Sequence, residues 1–174
     1  MARDEEGRYR LSSLVYPVLW RPEEPFESVC RRTLAALPWA RPSLHDPPGF
    51  DCVCGVHAAR EAARALAYLR RDPGRDPTDR LRVVGSVMVW GRVVEADRGW
   101  RGQLAYPRRL VVPLPGGRLG GRRRRRLADR VAGDLAAYGV EVVVGDPVAL
   151  LGGARRAPNE RTRDGVTRLR DARP

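Results

Sequence analysis

From Leu81 to Pro113 the apolar side chains keep the spacing of extended chain. They run LRVVGSVMVWGRVVE over Leu81–Glu95, WRGQLAY over Trp100–Tyr106 and RRLVVP over Arg108–Pro113. Val dominates the run, with Trp90 and Trp100 beside it, and both residue types suit the pleated, half-buried surface of a sheet. Asp97-Arg98-Gly99 interrupts it with hairpin chemistry. The pattern predicts a central antiparallel sheet over Leu81–Val112 that turns at Asp97–Gly99. Pro107 is expected to end the return strand or to mark an edge, and Gly85 and Gly91 to mark bends or bulges.

Elsewhere the period changes. Ala59, Ala62, Ala63, Leu66 and Leu69 share one helical stripe, which predicts a helix over Ala58–Arg71 stopped by Asp72-Pro73-Gly74. Leu127, Val131, Leu135 and Tyr138 share another, which predicts an amphipathic helix over Arg122–Tyr138 closed by Gly139. Phe26–Leu37 reads as a short helix between two prolines, Tyr9–Trp20 as short strands broken at Pro17, and Val140–Val144 as a strand broken by Asp146-Pro147. Pro38–Gly49 holds four prolines and must be an irregular loop, and a loop that long needs something to pin it. The expected fold is α+β: a mainly antiparallel sheet with two or three packed helices and a Pro-rich Cys/His loop. The expected organisation is a flexible start over 1–8, one domain over 9–151 and a disordered, Arg-rich tail over 152–174.

Composition narrows the class. At 174 residues the core can be built without disulfides. No apolar window is long enough to span a bilayer, and the first residues lack the apolar stretch of a signal peptide. No membrane partner is expected, and the expected location is the cytoplasm, where thiols stay reduced. All 33 basic residues are arginine. Arg, Ala, Gly, Pro and Val share GC-rich codons, so a single arginine carries less functional weight here than it otherwise would. The charge is also uneven. Residues 1–60 are neutral overall, residues 61–107 carry +3, and residues 108–174 carry +9. An anionic partner, nucleic acid or an acidic protein, would be felt in the last third.

The sharpest chemistry lies in Asp51-Cys52-Val53-Cys54-Gly55-Val56-His57, with Cys30 and His45 upstream. Three thiols and an imidazole complete the ligand set of one tetrahedral ion. Cys30, His45, Cys52 and Cys54 would tie the Pro-rich loop to one point, and His57 competes for the fourth place. Zinc is the expected ion, ahead of an iron–sulfur cluster. The plain alternative is three small thiols packed in a core. A second group, Trp90, Arg92, Trp100, Arg101 and Tyr106, would make a stacking surface, or else ordinary cross-strand pairs. A third, Arg122-Arg123-Arg124-Arg125-Arg126, falls in the first turn of a helix, where the helix dipole disfavours cations. It would suit nucleic-acid phosphate or be a solvated run. No carboxylate pair, phosphate loop or serine elbow suggests catalysis, and no catalytic residue is assigned.

Cys30, His45-Asp46-Pro47 and Cys52-Val53-Cys54-Gly55-Val56-His57-Ala58 together resemble a pattern in a family of uncharacterised small actinobacterial proteins. There a Cys is followed by His-x-Pro and then Cys-x-Cys-Gly-Ile-Tyr-Ala. The block Val89-Trp90-Gly91-Arg92-Val93-Val94-Glu95, through Gly99-Trp100-Arg101 to Ala105-Tyr106-Pro107, is similar to their second block, so the resemblance covers roughly residues 9–113. The family has Tyr where this chain has His57, which favours His45 as the ligand. The resemblance implies a shared Cys/His site and no activity. The sequence therefore points to a metal-stabilised binding or scaffold module with a basic C-terminal face. A nucleic-acid-binding regulator using Arg122–Arg126, and a thiol redox sensor or enzyme, are the alternatives.

Overall fold

The computed structural model describes residues 1–13, 18–30, 45–70, 82–114, 120–152 and 166–168. Its elements are β1 (Ala2–Arg3), β2 (Tyr9–Arg10), β3 (Phe26–Glu27), β4 (Val56–Ala59), α1 (Ala62–Arg70), β5 (Val84–Ala96), β6 (Gly99–Val112), α2 (Gly121–Leu135), β7 (Glu141–Val144), α3 (Pro147–Gly152) and β8 (Val166–Arg168). This is an α+β fold on a mainly antiparallel sheet. The β5–β6 hairpin turns at Asp97-Arg98, where the sequence places it. The chain divides into two compact units: residues 1–25, 61–87 and 107–157, and residues 26–60, 88–106 and 158–174. Each unit takes part of both long strands.

In the first unit, β6 carries Leu110, Val111 and Val112 into a core shared with Val84 and the apolar face of α2. That face is Ala128, Val131 and Leu135, continued by Tyr138 on a 3-10 turn over Ala136–Tyr138. Gly139 ends the turn in the left-handed region, at φ 65°, as a helix-closing glycine should. β7 pairs in parallel with β6, from Arg109↔Glu141 to Val112↔Val144. The N-terminal segment, read from sequence as frayed, is a small β1–β2 hairpin held by α2. Tyr9 N donates to Asp134 Oδ2 at 2.9 Å, and the buried Arg10 donates to the Asp134 carbonyl at 2.9 Å. Tyr138 Oη accepts from Leu11 N at 3.0 Å and donates to the Trp20 carbonyl at 2.6 Å.

In the second unit the hairpin is edged by β3 and β4, both antiparallel to β6, and by β8, parallel to β5. Val93, Val94 and Ala105 are its buried apolar residues. Two expectations are corrected here. The helix expected to begin at Phe26 is β3 instead: Phe26 pairs with Ala105, and the Ser28 amide and hydroxyl bond the Gln103 carbonyl at 2.9 and 2.8 Å. The rest of that expected helix, from 31 on, lies outside the described residues. The helix expected from Ala58 begins at Ala62, because Val56–Ala59 pairs with Gly99–Gly102. In both places a ladder on β6 overrides an apolar spacing that local pattern alone reads as helical.

Pro107 does not end the return strand. It falls between the register of β3, which stops at Ala105, and that of β7, which starts at Arg109, so its missing N–H takes no bond from either pairing. Gly91, inside β5, takes φ 73°, a conformation open to glycine. The helix α3 after Asp146-Pro147 has no counterpart in the sequence reading. Residues 115–119, and residues 153–165 and 169–174 of the expected tail, lie outside the described residues.

Candidate metal centre

All four expected ligands belong to the second unit. Cys30 follows β3, His45 to Gly49 form an irregular stretch, and Cys52 and Cys54 precede β4. Their ligand atoms, three sulfurs and one imidazole nitrogen, lie within 4.8 Å of one another. Cys30 Sγ stands 3.7 Å from Cys52 Sγ, and His45 Nε2 stands 3.1 Å from Cys54 Sγ. A tetrahedral ion with 2.3 Å bonds to sulfur has sulfur–sulfur edges of about 3.8 Å. The Cys30–Cys52 pair already has that edge. None of the three cysteines is in a disulfide, and none is exposed. A Cys3His group of this size could hold a metal ion.

His57 is not part of the group. It lies on β4, exposed, and its Nε2 contacts the Val53 carbonyl at 2.8 Å. Two competing imidazoles in the sequence thus resolve to His45.

The local backbone explains how the group forms. Pro47 and Pro48 are buried, with a cis peptide between them. Gly49 follows, and a Cβ there would come 2.5 Å from His45 Nε2. The imidazole therefore occupies space that only glycine leaves open. The Gly49 amide donates to Cys54 Sγ at 3.3 Å. Gly55 turns the chain out of Cys-x-Cys with φ 110°, and a Cβ there would meet Pro48 Cβ at 3.1 Å and Arg101 Cβ at 3.3 Å. That conformation is open to glycine and strained for other residues. Burial pushes the Cys54 thiol above its ordinary pKa; the Gly49 amide opposes this and the neighbouring Cys52 and Cys30 thiols add to it. An anion at Cys54 is thus disfavoured until a cation arrives.

Two arginines of the hairpin grip this loop. Arg92 on β5 donates to the Asp46 carbonyl at 2.9 Å and lies 3.4 Å from its carboxylate. Arg101 on β6 donates from one nitrogen to the carbonyls of Gly49 (3.2 Å), Cys52 and Cys54 (3.3 Å). Gly49, Gly55 and Asp46 were missed as site residues by the sequence reading. Only a glycine immediately after Cys-x-Cys was there as a signal. Comparison with family models, with curated proteins and with solved structures finds no match to this chain.

The expected stacking surface is divided. Trp100 and Arg101 are successive residues of a strand, so their side chains leave opposite faces. Arg101 serves the Cys/His loop, and so does Arg92. The cation over Trp100 is Arg60, whose guanidinium carbon stands 4.5 Å from the ring centroid. Arg60 also binds Glu95 Oε1 at 2.6 Å and the carbonyls of Ala96 and Asp97, which locks the hairpin turn. Trp90 is partly exposed and Tyr106 is half-buried. Arg122–Arg126 form the first turn of α2 as expected. Arg122, Arg123, Arg125 and Arg126 are exposed, and Arg125 pairs with Asp129 one turn on at 3.0 Å. No described helix is long and apolar enough to cross a membrane.

Proposed function

We propose that this protein is a zinc-stabilised binding or scaffold module, in which Cys30, His45, Cys52 and Cys54 hold one structural Zn²⁺. The observation that carries the reading is the convergence of three thiols and one imidazole on a group no wider than 4.8 Å. Borderline-soft zinc suits sulfur with one nitrogen, and four protein ligands leave no open position for a substrate. An iron–sulfur cluster fits less well, because it needs ligands on different irons, and those stand further apart than the 4.8 Å that spans this whole group. Elemental analysis of protein purified without added metal tests this. One zinc per chain is expected, and metal-free protein with three freely titrating thiols would refute it.

A second reading is that the first turn of α2 contacts nucleic acid. It is favoured by four exposed arginines in a turn that has no acidic residue. Log affinity for DNA or RNA should then fall with log salt by about 0.7–0.9 per phosphate contacted. Replacing Arg122–Arg126 with glutamine should flatten that slope. Binding that ignores salt, or no binding, would leave the zinc module alone.

A further inference from the structure

Arg101 stands out from the other arginines of this chain in what it touches. Among the described residues its hydrogen-bond partners are carbonyls, not carboxylates: Gly49, Cys52 and Cys54, all reached from one nitrogen. Two of the three carbonyls belong to ligand residues. The third belongs to Gly49, whose amide donates to Cys54 Sγ and whose missing Cβ admits His45. One half-buried cation thus contacts the peptide units that follow Cys52, Cys54 and Gly49. Its own backbone is fixed in turn by the β4–β6 ladder, where Arg101 pairs with His57. Charge adds a second reason. Three thiolates and an imidazole around Zn²⁺ leave one net negative charge on a part-buried site, and Arg101 brings one positive charge to the carbonyls of that loop. A guanidinium stays charged in proteins, so the compensation does not lapse with pH.

We infer that Arg101 is the positioning residue of the metal centre: it holds the Cys52–Cys54 loop in ligand geometry and offsets the site's negative charge. This rests on the zinc reading above. It commits that reading to a preorganised site, in which a strand residue that touches no metal sets the affinity. Groups that orient metal ligands typically change metal affinity by about 10–100-fold when removed.

The test compares wild type, R101Q, R101K and R60Q in zinc competition titrations and in Co²⁺ titrations that read the thiolate-to-metal and ligand-field absorption. R60Q removes the arginine that locks the turn of the same hairpin without touching the metal loop. R101Q should bind zinc about tenfold or more weakly and show altered Co²⁺ bands, a signature that general destabilisation does not produce. R101K, with an ammonium that offers three donors, should recover part of both, and R60Q should match wild type. Wild-type zinc affinity and unchanged Co²⁺ bands in R101Q would overturn the inference while leaving the zinc site standing. No tight metal binding by wild type would instead remove the zinc reading itself. Should R101Q not fold, R101K decides: full wild-type affinity and bands contradict a positioning role for the guanidinium, and a loss supports it.

Discussion

At the scale of single residues, the site depends as much on two missing side chains as on four present ones. Gly49 has no Cβ where His45 Nε2 sits, 2.5 Å from where that atom would be. Gly49→Ala should therefore push the imidazole out of the group and weaken zinc binding by about tenfold or more, measured by chelator competition. His45→Ala should weaken it further. His57→Ala should leave it unchanged, since that ring contacts the Val53 carbonyl and no sulfur. If His57→Ala lost the metal and His45→Ala kept it, the ligand assignment would be reversed. The raised thiol of Cys54 sets the direction with pH. Zinc must displace its proton, so affinity should rise from pH 6 to pH 8 with proton release in calorimetry. The metal-free fold should behave in the opposite sense. A raised thiol pKa contributes stability below the ordinary thiol range, near about 8.5, and that contribution is lost as pH climbs through the raised value.

At the scale of elements, β6 is the organising strand: β3, β4, β5 and β7 all pair with it. Its contact with β4 depends on Gly99, where a Cβ would come 1.9 Å from the Ala58 carbonyl. Gly99→Ala should cost more than about 1 kcal/mol in denaturant melts, because backbone on both sides resists the shift. The 3-10 turn that follows α2 holds the N-terminal segment through Tyr138. Its hydroxyl serves the Leu11 amide and the Trp20 carbonyl, so Tyr138→Phe should cost about 1–3 kcal/mol. The arginines at the start of α2 act the other way on stability. Their charges face the positive end of the helix and one another, and Arg125 pairs with Asp129. Replacing Arg122, Arg123 and Arg126 with glutamine should leave stability unchanged or raise it by about 0.3–1 kcal/mol. A clear loss would show that the run packs rather than projects.

At the scale of the whole molecule, the sequence disclosed what depends on period and on ligand type. The β5–β6 hairpin, its Asp97-Arg98 turn and the apolar stripe of α2 repeat often enough to be read directly. So does the ligand set, because three thiols and two histidines offer few combinations. What stayed hidden depends on partners distant in sequence. Phe26–Glu27 and Val56–Ala59 are too short to show alternation, and only the edge of β6 makes them strands. Pro107 reads as a terminator until the gap between β3 and β7 is known. Arg92 and Arg101 read as part of a stacking surface or of ordinary cross-strand pairs, because nothing local says that Asp46, Gly49, Cys52 and Cys54 will lie against them. If zinc pins that loop, the metal is also a term in overall stability. Free zinc at a hundred times its dissociation constant would add about 2.7 kcal/mol, lost on chelation. The measurement that bears most directly on this is zinc-edge X-ray absorption on the full chain as purified. Three sulfurs at about 2.3 Å and one nitrogen at about 2.0–2.1 Å are predicted. A shell of light atoms alone, or no zinc edge at all, would contradict the account.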